Sequence, residues 1–114
     1  MTKIRFGADE YELKATWSAS LEFDEKIGDP LQLATAASMR GEQVFTSRTV
    51  VRAVWIGLKA GGQKFTESEV GELCQQCGMV NALSVANSYL IDLVRDPSED
   101  LDEDESAEES SKKT

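Results

Sequence analysis

Apolar and polar positions alternate at the start of the chain and then switch to a helical period. In residues 3–15, KIRFGADEYELKA, Ile4 and Phe6 alternate with Lys3 and Arg5. Tyr11 and Leu13 alternate with Glu10, Glu12 and Lys14, and Gly7-Ala8-Asp9 supplies turn chemistry between the two runs. A period of two on both sides of a turn predicts a β-hairpin with one apolar face. Two strands alone are marginal in water, so that face must lie on something.

From Thr16 the period becomes helical. Trp17 and Leu21 lie one turn apart, as do Ala19, Phe23 and Ile27, and Gly28 stops this first helix. Asp29-Pro30 restarts a helix at once, with Asp as N-cap and Pro at the first helical position. That second helix, PLQLATAASM, is short and weakly apolar, and RGEQVF after it reads as a loop. Thr46 or Ser47 caps a third helix running through Lys59, with Val50, Val51, Val54, Trp55 and Leu58 on one stripe. Ala53 and Gly57 are small enough to let a neighbour approach, and Gly61-Gly62 ends the element. Thr66-Glu67-Ser68-Glu69 is a capping box, with Phe65 and Val70 placed as a hydrophobic staple; the fourth helix runs to about Cys77 and stops at Gly78. A fifth spans roughly Met79–Val94. Its stripe is Val80, Leu83, Leu90, Ile91 and Val94, widened by Ala82, Val85, Ala86, Tyr89 and Leu93. The expected fold is α+β, mostly α: a hairpin packed on a small bundle of about four to five helices over residues 1–95.

Charge divides the chain at the same place. The formal net charge is −9, of which residues 96–114 carry −7, from nine acids and two lysines. That segment holds one leucine and almost no other apolar residue, the composition of a disordered acidic tail. The remaining body is nearly neutral, which argues against nucleic-acid binding through phosphates and against anionic membrane surfaces. No basic and apolar leader opens the chain and no stretch of about 18 apolar residues crosses it, so neither a signal peptide nor a membrane span is expected. Free thiols without an export signal fit a reducing, cytoplasmic setting.

Cys74 and Cys77 form a Cys-x-x-Cys pair and are the only cysteines. A closed zinc site needs four ligands, and the chain has no histidine. A redox pair of this spacing sits at a helix N-terminus, where the macrodipole lowers the thiol pKa. Here the capping box puts the helix start at Thr66 and both thiols near its far end. They read as two small, soft core residues, replaceable by other small residues at little cost. GGQKFT lacks the spacing of a phosphate loop, because Phe65 separates Lys64 from Thr66, and it follows a helix. Glu22, Asp24 and Glu25 fall on or beside a solvated helix face, and without histidine the commonest general base is missing. No catalytic, cofactor-binding or metal residue is therefore assigned, and no cofactor is expected. Trp17 and Trp55 read most simply as core; an exposed one would be an anchor for a partner.

Four segments taken in order resemble a known family: the hairpin, LEFDEKIG (Leu21–Gly28), VRAVWIGLKAGG (Val51–Gly62) and FTESEVGELCQQCG (Phe65–Gly78). The combination is similar to the tail-assembly-chaperone-like proteins of gene transfer agents and long-tailed phages. The matching positions are Glu22 to Gly28, Trp55-Ile56-Gly57-Leu58 and Thr66-Glu67-Ser68-Glu69-Val70-Gly71. The resemblance covers roughly residues 3–94. It implies a binding protein, not an enzyme, that holds the tape measure protein soluble and helps recruit tail tube subunits around it without ATP. Which residues touch the partner does not follow from it. An apolar face wider than one small core needs would also serve a homo-oligomer.

Two other classes compete with that reading. An acidic regulator or inhibitor would occupy a basic surface of a partner, and would need its acids arranged on a folded surface. A metal or thiol enzyme would use Cys74 and Cys77.

Overall fold

The computed structural model describes residues 1–95, so the expected acidic tail, 96–114, lies outside the described residues. Two strands and five helices follow in the order β1 (Thr2–Phe6), β2 (Asp9–Leu13), α1 (Trp17–Lys26), α2 (Pro30–Arg40), α3 (Ser47–Ala60), α4 (Glu67–Cys77) and α5 (Met79–Val94). The fold is α+β and mostly α, with the antiparallel hairpin lying on the helices.

The hairpin register pairs Ile4 with Tyr11 and Phe6 with Asp9, across a two-residue turn whose Gly7 takes φ 65°. Lys3 opposes Glu12 and Arg5 opposes Glu10 on the outer side, as the alternation requires. Thr2, Ile4, Phe6 and Leu13 are buried. Tyr11 is half-buried and meets the edge of Phe65 with ring centroids 5.5 Å apart. At the exit of β2, the Lys14 N–H donates to the Gly57 carbonyl at 3.2 Å, which pins the hairpin to α3.

α3 is the central helix. It packs on β2, α1, α4 and α5, and buries Val50, Ala53, Val54, Ile56, Gly57 and Leu58. The buried arc is wider than the expected stripe, because neighbours lie on most of its circumference. The core between these elements is one cluster that includes Phe23, Phe45, Val70, Cys74, Ala86, Tyr89 and Leu90. Phe45, expected in a loop, is buried and meets Phe23 edge-on at 6.3 Å.

The helix starts follow the sequence closely. Thr16, Asp29, Thr46 and Thr66 each accept a backbone N–H at the start of α1 to α4. At α4 the box is reciprocal: Glu69 N–H donates to Thr66 Oγ1 at 3.1 Å, and Thr66 N–H donates to Glu69 Oε1 at 2.8 Å.

Two expectations about helix faces are corrected. On α5 the buried residues are Ala82, Ala86, Tyr89 and Leu90, whereas Val80 is 79% exposed and Ile91 and Val94 lie near the surface. The buried face carries Ala82 and Ala86 with Tyr89 and Leu90, and Val80, Ile91 and Val94 of the expected stripe flank it. On α1, Ala19 and Phe23 are buried, but Trp17 is 74% exposed and Leu21 is 52% exposed. Positions two apart on a helix lie roughly 200° apart, so the pairs Trp17/Leu21 and Ala19/Phe23 face opposite ways. Only one pair can enter the core. Trp17, expected in the core, is therefore on the surface.

Candidate protein-interaction surface

The thiols are placed as the capping box requires. Cys74 lies in the last turn of α4, fully buried in the core, and Cys77 is the helix's last residue, half-buried. The Cys77 thiol donates weakly back to the Cys74 carbonyl at 3.4 Å. Burial first, and then the neighbouring Cys77, pushes the Cys74 thiol up to about 12. Burial also pushes the Cys77 thiol up. Both thiols are thus held protonated at neutral pH, the opposite of what a nucleophile or a metal ligand needs. Among the described residues, no three His, Cys, Asp or Glu side chains stand close enough together to hold a metal ion.

The acids singled out on α1 separate. Asp24 and Glu25 are exposed. Glu22 is half-buried and accepts Lys59 at 2.5 Å, with Lys26 at 3.6 Å. The Lys59 ammonium also lies 4.1 Å from the centroid of the Trp55 ring. Trp55 itself is half-buried against the core, and its indole N–H donates to the Phe65 carbonyl at 2.8 Å. Trp55, Lys59 and Glu22 therefore form a satisfied structural cluster joining α1 to α3.

A shallow depression of about 620 Å³ lies where α3 and α4 begin, lined by Arg48, Val51, Thr66, Glu67 and Ser68. Two of its polar groups are engaged. Thr66 caps α4, and Glu67 accepts Arg52 Nε at 3.1 Å.

The feature without a structural partner is on the opposite side of α1. Trp17, Ser20, Leu21 and Asp24 form one wall of a cleft of about 320 Å³. Asp29, Pro30 and Leu31, where α2 begins, form a second wall, and Leu93 and Val94 at the end of α5 form the third. Leu31 is 62% exposed and Val94 39%, so the cleft collects four large apolar side chains that the core leaves out. A small domain exposes single apolar residues routinely, but an apolar group centred on a tryptophan and edged by carboxylates is a candidate interaction site. Its signal in the sequence is the second apolar pair on α1, offset by two positions from the pair that enters the core. Leu31, Leu93 and Val94 join it only through the tertiary fold.

No single helix among the described residues is long and apolar enough to cross a membrane. No protein-family model, curated protein or solved structure matches this chain.

Proposed function

We propose that the chain is a protein-binding chaperone without catalytic activity, acting in the bacterial cytoplasm on the tape measure protein during assembly of a phage-type tail. The observation that carries the binding half of this reading is the Trp17 cleft, an apolar surface with no partner within the described residues. The resemblance of the hairpin, the Trp55-Ile56-Gly57-Leu58 segment and the Thr66–Gly71 helix start to tail assembly chaperones supplies the partner. A tape measure protein is long, helical and prone to aggregate. Covering its apolar stripes requires exposed apolar surface on the chaperone, and the −7 charge of residues 96–114 favours solubility of the complex. Release needs no ATP if the tail tube subunits cover the same stripes more completely.

Co-expression with the tape measure and tube proteins of the same assembly locus tests the reading. The expected result is tape measure protein shifted into the soluble fraction as a complex with this chain. Unchanged solubility and no complex overturn it.

A further inference from the structure

We infer that the Trp17 cleft receives an amphipathic α-helix of another protein, one whose apolar stripe is flanked by Lys or Arg. The inference rests on the reading of the chain as a protein-binding module. It does not depend on which protein the partner is.

The shape and chemistry of the cleft select a helix over an extended segment. Its walls are helix surfaces and the turn at Asp29-Pro30, with no sheet edge among them. The backbone groups at that turn are already used or missing. Leu31 N–H donates to the Asp29 carboxylate, Leu33 N–H donates to the Asp29 carbonyl, and Pro30 has no N–H. An extended peptide would bury its own N–H and C=O groups against carbon and find few partners there. A helix brings its backbone hydrogen bonds with it and presents anchors at i, i+3, i+4 and i+7. Trp17, Leu21 and Asp24 run along two turns of α1, a matching length.

The charge around the cleft selects the partner's sign. Asp24 and Asp29 stand on its rim, and no lysine or arginine is among the residues that line it. Arg95, which follows Val94, lines a neighbouring depression with Met1, Glu12, Lys14 and Asp92. A second copy of this chain is the wrong occupant. Two-fold pairing over the cleft would bring the Asp24 and Asp29 carboxylates of the two copies together. A basic-flanked helix is attracted by both carboxylates.

The probe is a pair of synthetic helical peptides of about 18 residues, long enough to fold in the bound state. Both carry the same leucine stripe, flanked by Lys in one and by Glu in the other. A third peptide keeps the lysines but has Ser in place of Leu. The protein is the full chain carrying Trp55→Phe, so that Trp17 is the only tryptophan. The expected result is a blue-shifted Trp17 emission and protection from acrylamide with the Leu/Lys peptide alone. In the full chain, Trp17→Ala is expected to weaken binding of a labelled Leu/Lys peptide at least about tenfold, the scale of an interface anchor. Asp24→Asn with Asp29→Asn, where Asn keeps the α2 cap, is expected to weaken it several-fold and flatten its salt dependence.

Equal protection by the Leu/Glu peptide overturns the charge assignment, and equal protection by the Ser/Lys peptide overturns the apolar one. Protection that rises with protein concentration without peptide makes a second copy the occupant. Protection by phosphatidylcholine vesicles makes it a lipid surface. A stable tape measure complex that Trp17→Ala leaves intact overturns the cleft and keeps the chaperone reading. Peptide binding at Trp17 with no tape measure complex does the reverse.

Discussion

Gly57 on α3 lies directly against Leu13 of β2: a Cβ built at Gly57 would stand 2.7 Å from both Cβ and Cγ of Leu13. The hairpin sits on the helix backbone at this point, because the Gly57 carbonyl also receives the Lys14 N–H. Leu13 is fully buried and attached to a strand, so it has no room to retreat. Gly57→Ala is expected to destabilise the fold by about 1–2 kcal/mol, as overpacking of about 1–3 kcal/mol outweighs a helix-propensity gain of up to about 1 kcal/mol. Gly71 on α4 gives the opposite sign. Its nearest neighbour would be Val51 Cγ1 at 3.7 Å, an ordinary contact. Gly71→Ala is expected to stabilise by about 0.5–1 kcal/mol. Urea midpoints at unchanged slope measure both, and a stabilised Gly57→Ala would show that the hairpin is not seated as described.

The two thiols are expected to differ in reactivity and in tolerance. A maleimide should label Cys77 first and reach Cys74 only through opening of the core. Labelling of Cys74 at the rate of a free thiol near pH 8 would contradict its burial. The pH dependence has a defined sign. Below the ordinary thiol value of 9.0 both states are protonated and the contribution of Cys74 is fully present. Above it the unfolded chain ionises while folded Cys74 stays protonated up to about 12, so stability falls across that window. Tyr89, also raised from its ordinary value of 10.0, chiefly by burial, adds to the loss in the same direction. Cys74→Ala should flatten the decline in urea midpoint that begins above about pH 9. Cys77→Ser should cost almost nothing. Cys74→Ser buries a hydroxyl in the core and should cost about 1–3 kcal/mol, which narrows the expectation that both thiols are freely replaceable.

What was legible in the sequence is what local chemistry decides. Thr16, Asp29, Thr46 and Thr66 mark the helix starts because a side-chain oxygen beside free N–H groups is a local arrangement. The hairpin was legible because a period of two and a glycine turn are local as well. Which face of a helix is buried depends on what lies across from it, and there the pattern misled. α1 carries two apolar pairs on opposite sides, and nothing within its residues says that Ala19 and Phe23 enter the core while Trp17 and Leu21 stay out. α5 carries apolar residues on most of its circumference, and only the neighbours that pack on it decide that Ala82, Ala86, Tyr89 and Leu90 are buried while Val80 is not. Only the Trp17/Leu21 pair of the cleft has a sequence pattern, because Leu31 and Val94 come from two other helices.

The first strand is tied to the last described helix by a part-buried polar link. Thr2 Oγ1 donates to Asp92 Oδ2 at 2.6 Å, and the N-terminal ammonium lies 3.8 Å from the same oxygen. The Asp92 side chain is only 10% exposed, so little water replaces a lost partner. Thr2→Val keeps the shape and removes the donor, and is expected to cost about 1.5–3 kcal/mol, the range for a hydrogen bond to a charged group. Asp92→Asn should cost less, since an amide oxygen still accepts from Thr2. Urea midpoints separate the two, and a neutral Thr2→Val would show that water reaches Asp92.

The two tryptophans are expected to behave as opposites. Trp55 is half-buried, bonded through its indole N–H to Phe65 and covered by Lys59, so Trp55→Ala removes packing, a hydrogen bond and a cation contact together. A loss of about 3 kcal/mol is expected, enough to matter in a domain of this size. Trp17 caps nothing in the core and is 74% exposed, so Trp17→Ala should change stability by no more than about 0.5 kcal/mol. In the free protein, Trp17 should emit at long wavelength and be quenched by acrylamide, while Trp55 emits at shorter wavelength and is protected. Comparison of the two single-tryptophan variants measures this directly. If Trp17→Ala unfolds the chain, the tryptophan belongs to the core, and the surface assigned to partner binding loses its anchor.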